Sequence, residues 1–348
     1  MSTTGMPFLS NFGTHATEAA VAVCYDGTVV STYVSTGDLD WDINAPVGQI
    51  VSVDPGYGLQ FKFSGAQNDF NHGEAPSAVA IDTNGVAVSI HQTNERDSQE
   101  LYANVGLATG GEIGFGGGVA LGGLQGTCPS IAAIGPGQFL VSCLQEGSPI
   151  WIYMFTLSVS GEAGNWSVQT GPAGINCAAI ATENGSQYNN LMAATPTNSC
   201  PRLSYCDGVL LVSNVYMTTS PNMGYAIGTF AENTFVAMAI LPRLTTVSGT
   251  PSSPLQAGAI GPNNAICIAE IAGSSPYYTV ACASGVYVTG ESWSFQMGAT
   301  NPGLNWTNDD SAYPCGVDID FTDAMGLNGV VMAVRDSGES LSLCYVQV

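Results

Sequence analysis

A hairpin-like unit recurs along this 348-residue chain and limits the folds that it can form. Each copy has an apolar run of small and β-branched residues, a tight turn at Gly, Asn or Asp, and a second apolar run that ends in polar residues. The clearest copy spans residues 78–91 and turns at Asn84 and Gly85. Because such turn pairs supply the positive φ angles that tight hairpins need, each copy predicts two antiparallel strands.

The turns are spaced evenly enough to indicate a repeat architecture. We place them at residues 27, 85, 137, 185, 233, 285 and 329, so that successive turns stand 44 to 58 residues apart. The two chain ends together supply one more interval of similar length. A period near 50 residues, with about four short strands in each unit, is typical of a β-propeller blade.

The sequence therefore predicts an all-β chain that forms a single β-propeller domain of seven four-stranded blades. We expect blades at about 16–72, 73–125, 126–173, 174–220, 221–273, 274–312, and 313–348 together with 1–15. An N-terminal strand at residues 6–12 should pair with the C-terminal blade, which closes the ring and removes an exposed sheet edge. A further turn-like segment at residues 261–264 leaves a six-bladed ring of longer units as the alternative.

The composition argues against several classes of function. Asp and Glu number 27 against five Lys and Arg, a formal net charge of −22, whereas nucleic-acid binding needs clustered basic residues. An apolar content of 45% is sufficient for a core. No apolar run has the length of a transmembrane segment, and the first residues do not resemble a signal peptide. We expect synthesis in the cytosol and leave release from the cell open.

The ten cysteines leave two interpretations open. Several of them lie inside apolar runs, where a reduced thiol serves as a small hydrophobic side chain. The number is even but the density is low for a disulfide-stapled scaffold, and no C-x-x-C pair occurs. Buried thiols are our first interpretation, and some disulfides are the alternative.

One copy of the repeat, at residues 74–106, resembles the repeat of lectin-like β-propeller proteins. The matching residues are Pro76, Ser77, Val79, Ala80, Gly85, Val88, His91, Leu101, Tyr102, Val105 and Gly106. The resemblance implies a ring that binds glycans in loops or between blades. It thereby implies a lectin, a non-catalytic carbohydrate-binding protein whose several weak sites add to one another through avidity.

Aromatic and polar side chains at or near the third strands are the candidate sugar-binding residues. The set is Trp41, His91, Asn94, Glu95, Tyr102, Trp151 and Tyr153. His91 ends a predicted second strand beside a polar loop, from which it would donate to a ligand hydroxyl. The competing interpretation at each of these positions is an ordinary structural side chain.

Alternating acidic residues predict an optional calcium site, although the sequence requires no cofactor. The segment contributes Asp38, Asp40, Asp42 and Asn44. Alternation along an extended segment would place these hard oxygen ligands on one side, as Ca²⁺ prefers, but a solvated acidic edge explains the same pattern. A second, weaker case is Asp318, Asp320 and Asp323, in which an inner strand would turn Asp318 and Asp320 toward the central channel.

We expect a lectin that binds glycans and is not an enzyme. Two other functions stay open. The first is a structural or protein-interaction propeller that self-assembles into a homo-oligomer. The second is a polysaccharide-active propeller enzyme, which would use two carboxylates about 5–9 Å apart. The 27 acidic residues could supply such a pair, but the sequence does not single one out.

Overall fold

The computed structural model describes most of the chain, in segments. These are residues 3–9, 19–35, 42–54, 58–93, 100–145, 151–171, 175–176, 180–181, 187–188, 200–217, 222–242, 247–248, 256–274, 277–286, 294–297, 306–307, 317–335 and 341–347. Within these segments the chain forms β-strands and two 3₁₀ turns, and none of the helical turns is long and apolar enough to cross a membrane. The predicted all-β class is confirmed.

The first three sheets follow one another along the chain after an N-terminal strand, β1 (Thr3–Leu9). The first sheet contains β2 (Ala20–Val23), β3 (Thr28–Ser35), β4 (Asp42–Asp54) and β5 (Gly58–His72). The second contains β6 (Glu74–Ile81), β7 (Val86–Gln92), β8 (Glu100–Thr109), β9 (Glu112–Phe115) and β10 (Val119–Gln125). The third contains β11 (Thr127–Gly135), β12 (Gln138–Gln145), β13 (Trp151–Glu162), β14 (Asn165–Thr170) and β15 (Ile175–Asn176).

The remaining sheets begin with a short pair. It consists of β16 (Ile180–Ala181) and β17 (Gln187–Tyr188). The fourth large sheet contains β18 (Arg202–Cys206), β19 (Val209–Met217), β20 (Asn222–Ala231) and β21 (Thr234–Pro242). The fifth contains β22 (Val247–Ser248), β23 (Gln256–Gly261), the 3₁₀ turn Pro262–Asn264, β24 (Ala265–Ser274), β25 (Tyr277–Val286), β26 (Ser294–Met297) and β27 (Trp306–Thr307). The closing sheet joins β28 (Val317–Thr322), the 3₁₀ turn Ala324–Gly326, β29 (Gly329–Arg335) and β30 (Leu341–Gln347) to β1.

The sheets stand around one axis with their first strands innermost. The inner strands β2, β6, β11, β18, β23 and β28 contact one another in that order, and β28 contacts β2, so that the ring closes. The predicted pairing of the chain ends is present, because β1 pairs antiparallel with β30, from Thr3 opposite Val346 to Leu9 opposite Leu341. The chain is therefore a single β-propeller.

The predicted number of blades is wrong. Five blades form, each from one continuous segment, rather than seven or six, and the composite closing sheet completes the ring. The assignment of inner turns fails after the third blade. Glu232 and Asn233, predicted as an inner turn, form the outer turn between β20 and β21. Gly285, also predicted as an inner turn, lies inside β25 and pairs with Ile266 and Phe295. The predicted turn at residue 185 lies outside the described residues.

A repeated hydrogen bond explains the glycine at the genuine inner turns. Gly27, Gly85, Gly137 and Gly208 follow the first strands of four successive blades and have φ between +63° and +85°. Glycine adopts this region without steric cost. The carbonyl of each glycine accepts a backbone N–H from the third strand of its own sheet at 2.7–2.8 Å. The donors are Ile50, Ala108, Val159 and Phe230. Each turn is thus tied to the strand beyond its own hairpin.

The core lies between neighbouring sheets, because the strands are buried on both faces. In β12, Phe139 and Val141 pack with side chains of the second sheet, whereas Leu140 packs on the opposite face with side chains of the fourth. Successive residues of a strand point to opposite faces, so an apolar run without polar interruptions fits a strand held between two others.

Replacing Gly137 with Ala tests the inner turn. A Cβ atom there would collide with the carbonyl oxygen of Val159 at a φ of +63°, so we expect the free energy of unfolding to fall by about 2–4 kcal/mol. Gly164→Ala is the matched control, because its φ is +86° but no atom lies within 4 Å of the added Cβ, and it should cost about 1 kcal/mol. Equal losses in urea denaturation would contradict this account of the turn.

Candidate functional site

A cavity of about 350 Å³ lies at the centre of the ring, lined by β2, β6, β11, β18 and β28. Small apolar side chains such as Ala78, Ala80 and Ala132 form much of its wall. The charged residues of its lining, among those described, are Asp82, Arg202, Asp207, Asp318 and Asp320. The cavity is partly open, and an apolar wall interrupted by placed polar and charged groups is the usual form of a small-molecule site.

The predicted orientation of Asp318 and Asp320 toward the central channel is confirmed. The two residues alternate along β28 and share one side of the strand. Asp318 Oδ2 accepts the backbone N–H of Val21 at 2.9 Å, and Asp320 Oδ2 accepts that of Val23 at 2.8 Å. Both carboxylates therefore connect the closing sheet to β2 of the first blade.

Serine makes the same connection between other blades. The Ser130 hydroxyl accepts the backbone N–H of Leu203 at 3.0 Å, and the Ser204 hydroxyl accepts that of Ile260 at 2.9 Å. A neutral hydroxyl is therefore sufficient to join two inner strands. Two acidic side chains on β28 exceed what the joining of strands requires, since burying a carboxylate carries a desolvation cost that a hydroxyl does not.

The other aspartates of this type are structural. Asp82 is buried, its Oδ1 accepts the backbone N–H groups of Asn84 and Val86, and its Oδ2 accepts that of Gly137. Three donors thus occupy the carboxylate and fix the inner turn against the next blade. Asp26 has the same role in the first blade, where it accepts from the backbone of Thr28 and Gly110.

The two cavity carboxylates have perturbed pKa values. Burial, and to a smaller extent the charge of Asp318, raise the pKa of Asp320 to about 7 against the opposing hydrogen bonds from Val23 and Phe321. Burial also raises the pKa of Asp318, while the positive charge of Arg202 lowers it. Near neutral pH Asp320 can therefore both release and accept a proton, which general acid–base catalysis requires.

Arg202 is the member of this site that the sequence analysis missed. It is the first residue of β18, is 3% exposed and lines the cavity. Arg202 lies six residues before Gly208, and a count back from that glycine would have placed it on an inner strand, but only once Gly208, rather than residue 185, is identified as the inner turn. A disulfide between Cys128 and Cys200 fixes the start of β18 to β11.

The cysteines thus follow both of the interpretations left open. Cys128 and Cys200 form the disulfide, and the described free thiols are Cys24, Cys143, Cys206, Cys267 and Cys282. Burial raises the pKa of each of these free thiols. They are therefore held in the unreactive thiol form.

The predicted sugar-binding residues lie at the end of the ring where the inner strands begin, as far as they are described. His91 ends β7 opposite Tyr102 at the start of β8, and their rings stack with centroids 6.1 Å apart. His91 is 1% exposed, and burial lowers its pKa to about 3, so it is neutral. Tyr153 is half-buried near the start of β13 beside Phe155.

The other predicted sugar-binding residues fall where no side chain is described. Trp41, Asn94 and Glu95 lie outside the described residues, and Trp151 contributes only its backbone to β13. The sugar-binding set as a whole stays a prediction.

The predicted calcium site is described only in part. Asp42 and Asn44 lie on β4, where the Asn44 side-chain amide donates to the carbonyl oxygen of Asp42 at 3.1 Å. Asp38 and Asp40 lie outside the described residues. Among the residues that the structure describes, no group of three or more His, Cys, Asp or Glu side chains is arranged to hold a metal ion. The calcium site stays a prediction.

The comparisons with known proteins identify the fold. No family model and no curated protein sequence matches the chain. An α-L-arabinanase of Penicillium chrysogenum complexed with arabinobiose matches with a TM-score of 0.56 and 10% identity, over 99% of this chain and 98% of that one. An α-L-arabinofuranosidase of Fusarium graminearum with an iminosugar inhibitor matches with a TM-score of 0.53 and 11% identity, over 100% and 98%. The two TM-scores show a shared β-propeller fold, and identities this low show no more than the fold.

The comparisons also correct the functional prediction. These two similar structures are an arabinanase and an arabinofuranosidase, not lectins, and the similarity extends over nearly the whole chain. The prediction of a non-catalytic lectin is therefore wrong, as is the prediction that the protein is not an enzyme. Of the alternatives left open by the sequence, the polysaccharide-active enzyme is the one that has its fold in common with these two structures.

The Asp320→Asn variant tests the electrostatics of the cavity. Asn keeps an oxygen acceptor for the Val23 amide but does not ionise. Because folding raises the pKa of Asp320 from 3.8 to about 7, its stabilising contribution is complete below pH 3.8 and is lost as the pH rises through 7. The Tm of the wild type should therefore fall relative to that of Asp320→Asn between pH 4 and pH 8.

Asp26→Asn is the control for this measurement. Burial raises the pKa of Asp26, but the hydrogen bonds from Gly110 and Thr28 outweigh it and lower the pKa overall. Its stabilising contribution is complete above the ordinary pKa of 3.8, so the Tm difference from wild type should stay constant from pH 5 to pH 8. A constant difference for Asp320→Asn as well would contradict the raised pKa.

Proposed function

We propose that the protein is a glycoside hydrolase that acts on polysaccharide and uses Asp318 and Asp320 as its carboxylate pair. The observation that carries this proposal is the placement of two acidic side chains in the central cavity, at positions where serine joins other blades. Fold likeness to an arabinanase and an arabinofuranosidase supports the same class of reaction but does not assign it.

The environments of the two carboxylates favour different roles. Asp320, with a pKa of about 7, would be the general acid that protonates the oxygen of the leaving sugar. Burial raises the pKa of Asp318 and the positive charge of Arg202 opposes that rise; in its ionised form Asp318 would be the base that takes a proton from the attacking water. The glycosidic C–O bond breaks, and the water oxygen bonds to the anomeric carbon. Asp320 ends ionised because it has given its proton to the leaving sugar, and Asp318 ends protonated because it has taken one from the water.

The spacing of the pair predicts the stereochemical outcome. Residues two positions apart on one strand have Cα atoms about 6.6 Å from each other, and side chains on the same side of a strand project roughly in parallel, so we take this value as the approximate spacing of the two carboxyl groups. Carboxyl groups about 6.5–9.5 Å apart leave room for a water molecule and invert the anomeric configuration, whereas retaining enzymes have them about 5–5.5 Å apart. We therefore infer inversion by a single displacement.

The substrates to examine first follow from the fold matches. Arabinan and arabinobiose are the natural starting point, because arabinobiose is bound by the arabinanase that shares the fold. A panel of chromogenic glycosides then extends the search to other sugars. A cavity of about 350 Å³ is at the small end of ligand sites, which suits a terminal sugar unit better than a long internal segment.

Substitution of the pair tests the proposal. Asp318→Asn and Asp320→Asn should each lower kcat by about 10²-fold or more, since general acid–base groups contribute on that scale. Asp26→Asn removes a carboxylate that also accepts backbone N–H groups, but it does not line the cavity and should leave kcat unchanged. NMR of the first product formed should show the inverted anomer. Full turnover by both cavity variants would refute the assignment.

A further inference from the structure

Arg202 places a guanidinium with an unpartnered Nε against the central cavity. The residue is 3% exposed, and its Nε is buried without a hydrogen-bond partner. The described part of the chain offers the guanidinium no hydrogen bond or ion pair. A buried N–H donor without an acceptor is unfavourable, so the Arg202 Nε–H needs an acceptor that a ligand or solvent in the cavity would supply.

The neighbouring carboxylates do not supply that acceptor. Asp318 and Asp320 project from β28 toward β2, where they accept the N–H groups of Val21 and Val23. The charge of Arg202 lowers the pKa of Asp318, so the two groups interact through space across the cavity without forming an ion pair. The arginine and the carboxylates therefore face one cavity from different strands and leave its interior for a ligand.

The position is unusual for this chain, which has only five basic residues. Lys62 lies on the outer strand β5 and Arg335 on β29, and Arg96 and Arg243 lie outside the described residues. Among the described inner strands, β18 is the one that contains a Lys or Arg residue, which is Arg202. A guanidinium is a planar fork of N–H donors whose geometry matches a carboxylate with two parallel hydrogen bonds.

We propose that Arg202 binds the carboxylate of an acidic sugar, so that the substrate is a glycan that contains uronic acid. The reaction at this sugar rests on the proposed function, but the binding does not. The net charge of −22 repels an anion at long range, yet this repulsion is screened over about 8 Å at physiological salt. Inside the cavity the lining also carries Asp82, Asp207, Asp318 and Asp320, so the contact with Arg202 has to outweigh their negative charge for a uronate to bind.

Calorimetric titration with matched sugars tests the proposal. The probes are D-galacturonate against D-galactose and D-glucuronate against D-glucose, which differ at C6 in the carboxylate. The wild type should bind at least one uronate about tenfold or more tightly than its neutral counterpart. Arg202→Gln should abolish this preference, and Arg202→Lys should keep only part of it, because an ammonium group lacks the fork. Asp26→Asn should keep all of it.

The outcomes separate this proposal from that of hydrolysis. Asp320→Asn should keep the uronate preference even though it loses turnover, and a preference without any turnover by the wild type would refute the hydrolase while supporting the site. Equal binding of the charged and neutral sugars by the wild type would overturn the site. An unchanged preference in a folded Arg202→Gln or Arg202→Lys variant would overturn it too.

Discussion

The backbone N–H groups of the innermost strands need acceptors, and the way they find them shapes the whole ring. Inner strands of neighbouring sheets meet around the axis without continuing one another's hydrogen-bond ladders. Side-chain oxygens of the adjacent inner strand accept these N–H groups instead. Ser130 accepts from Leu203, and Ser204 accepts from Ile260. Asp318 and Asp320 accept from two residues of β2. Because a buried unpaired amide costs about 1–3 kcal/mol, these contacts fix how the sheets stand relative to one another. They also decide which side chains reach the cavity.

Local turn chemistry made the fold class readable but not the number of blades. Gly27, Gly85 and Gly137 are inner turns, as their sequence context indicates. The outer turn at Glu232 and Asn233 also has positive φ angles, +49° and +59°. The sequence of a turn therefore does not distinguish the inner hairpin of a blade from its outer one. An inner turn is recognised by a hydrogen bond such as the one from Phe230 to Gly208, which joins the turn to the third strand of its sheet.

The site was only partly accessible from the sequence for the same reason. Alternation along one strand is local, so it predicted that Asp318 and Asp320 face the channel. Arg202 reaches the cavity from a strand more than a hundred residues away, and nothing near it in sequence indicates that position. The lectin prediction rested on one repeat that has the fold's pattern. Strand and turn residues of that kind specify a propeller, whereas the chemistry depends on side chains that converge on the axis.

The centre of the ring is thereby proposed as a catalytic site in which a proton-carrying carboxylic acid, a carboxylate and a guanidinium surround one sugar. A crystal structure of the Asp320→Asn protein soaked with a substrate oligosaccharide is the most direct measurement of this claim. We expect one sugar unit in the central cavity, with its glycosidic oxygen within hydrogen-bond distance of residue 320 and a water molecule beside Asp318. An oligosaccharide bound only on the rim or between outer strands, with the cavity filled by water, would contradict it.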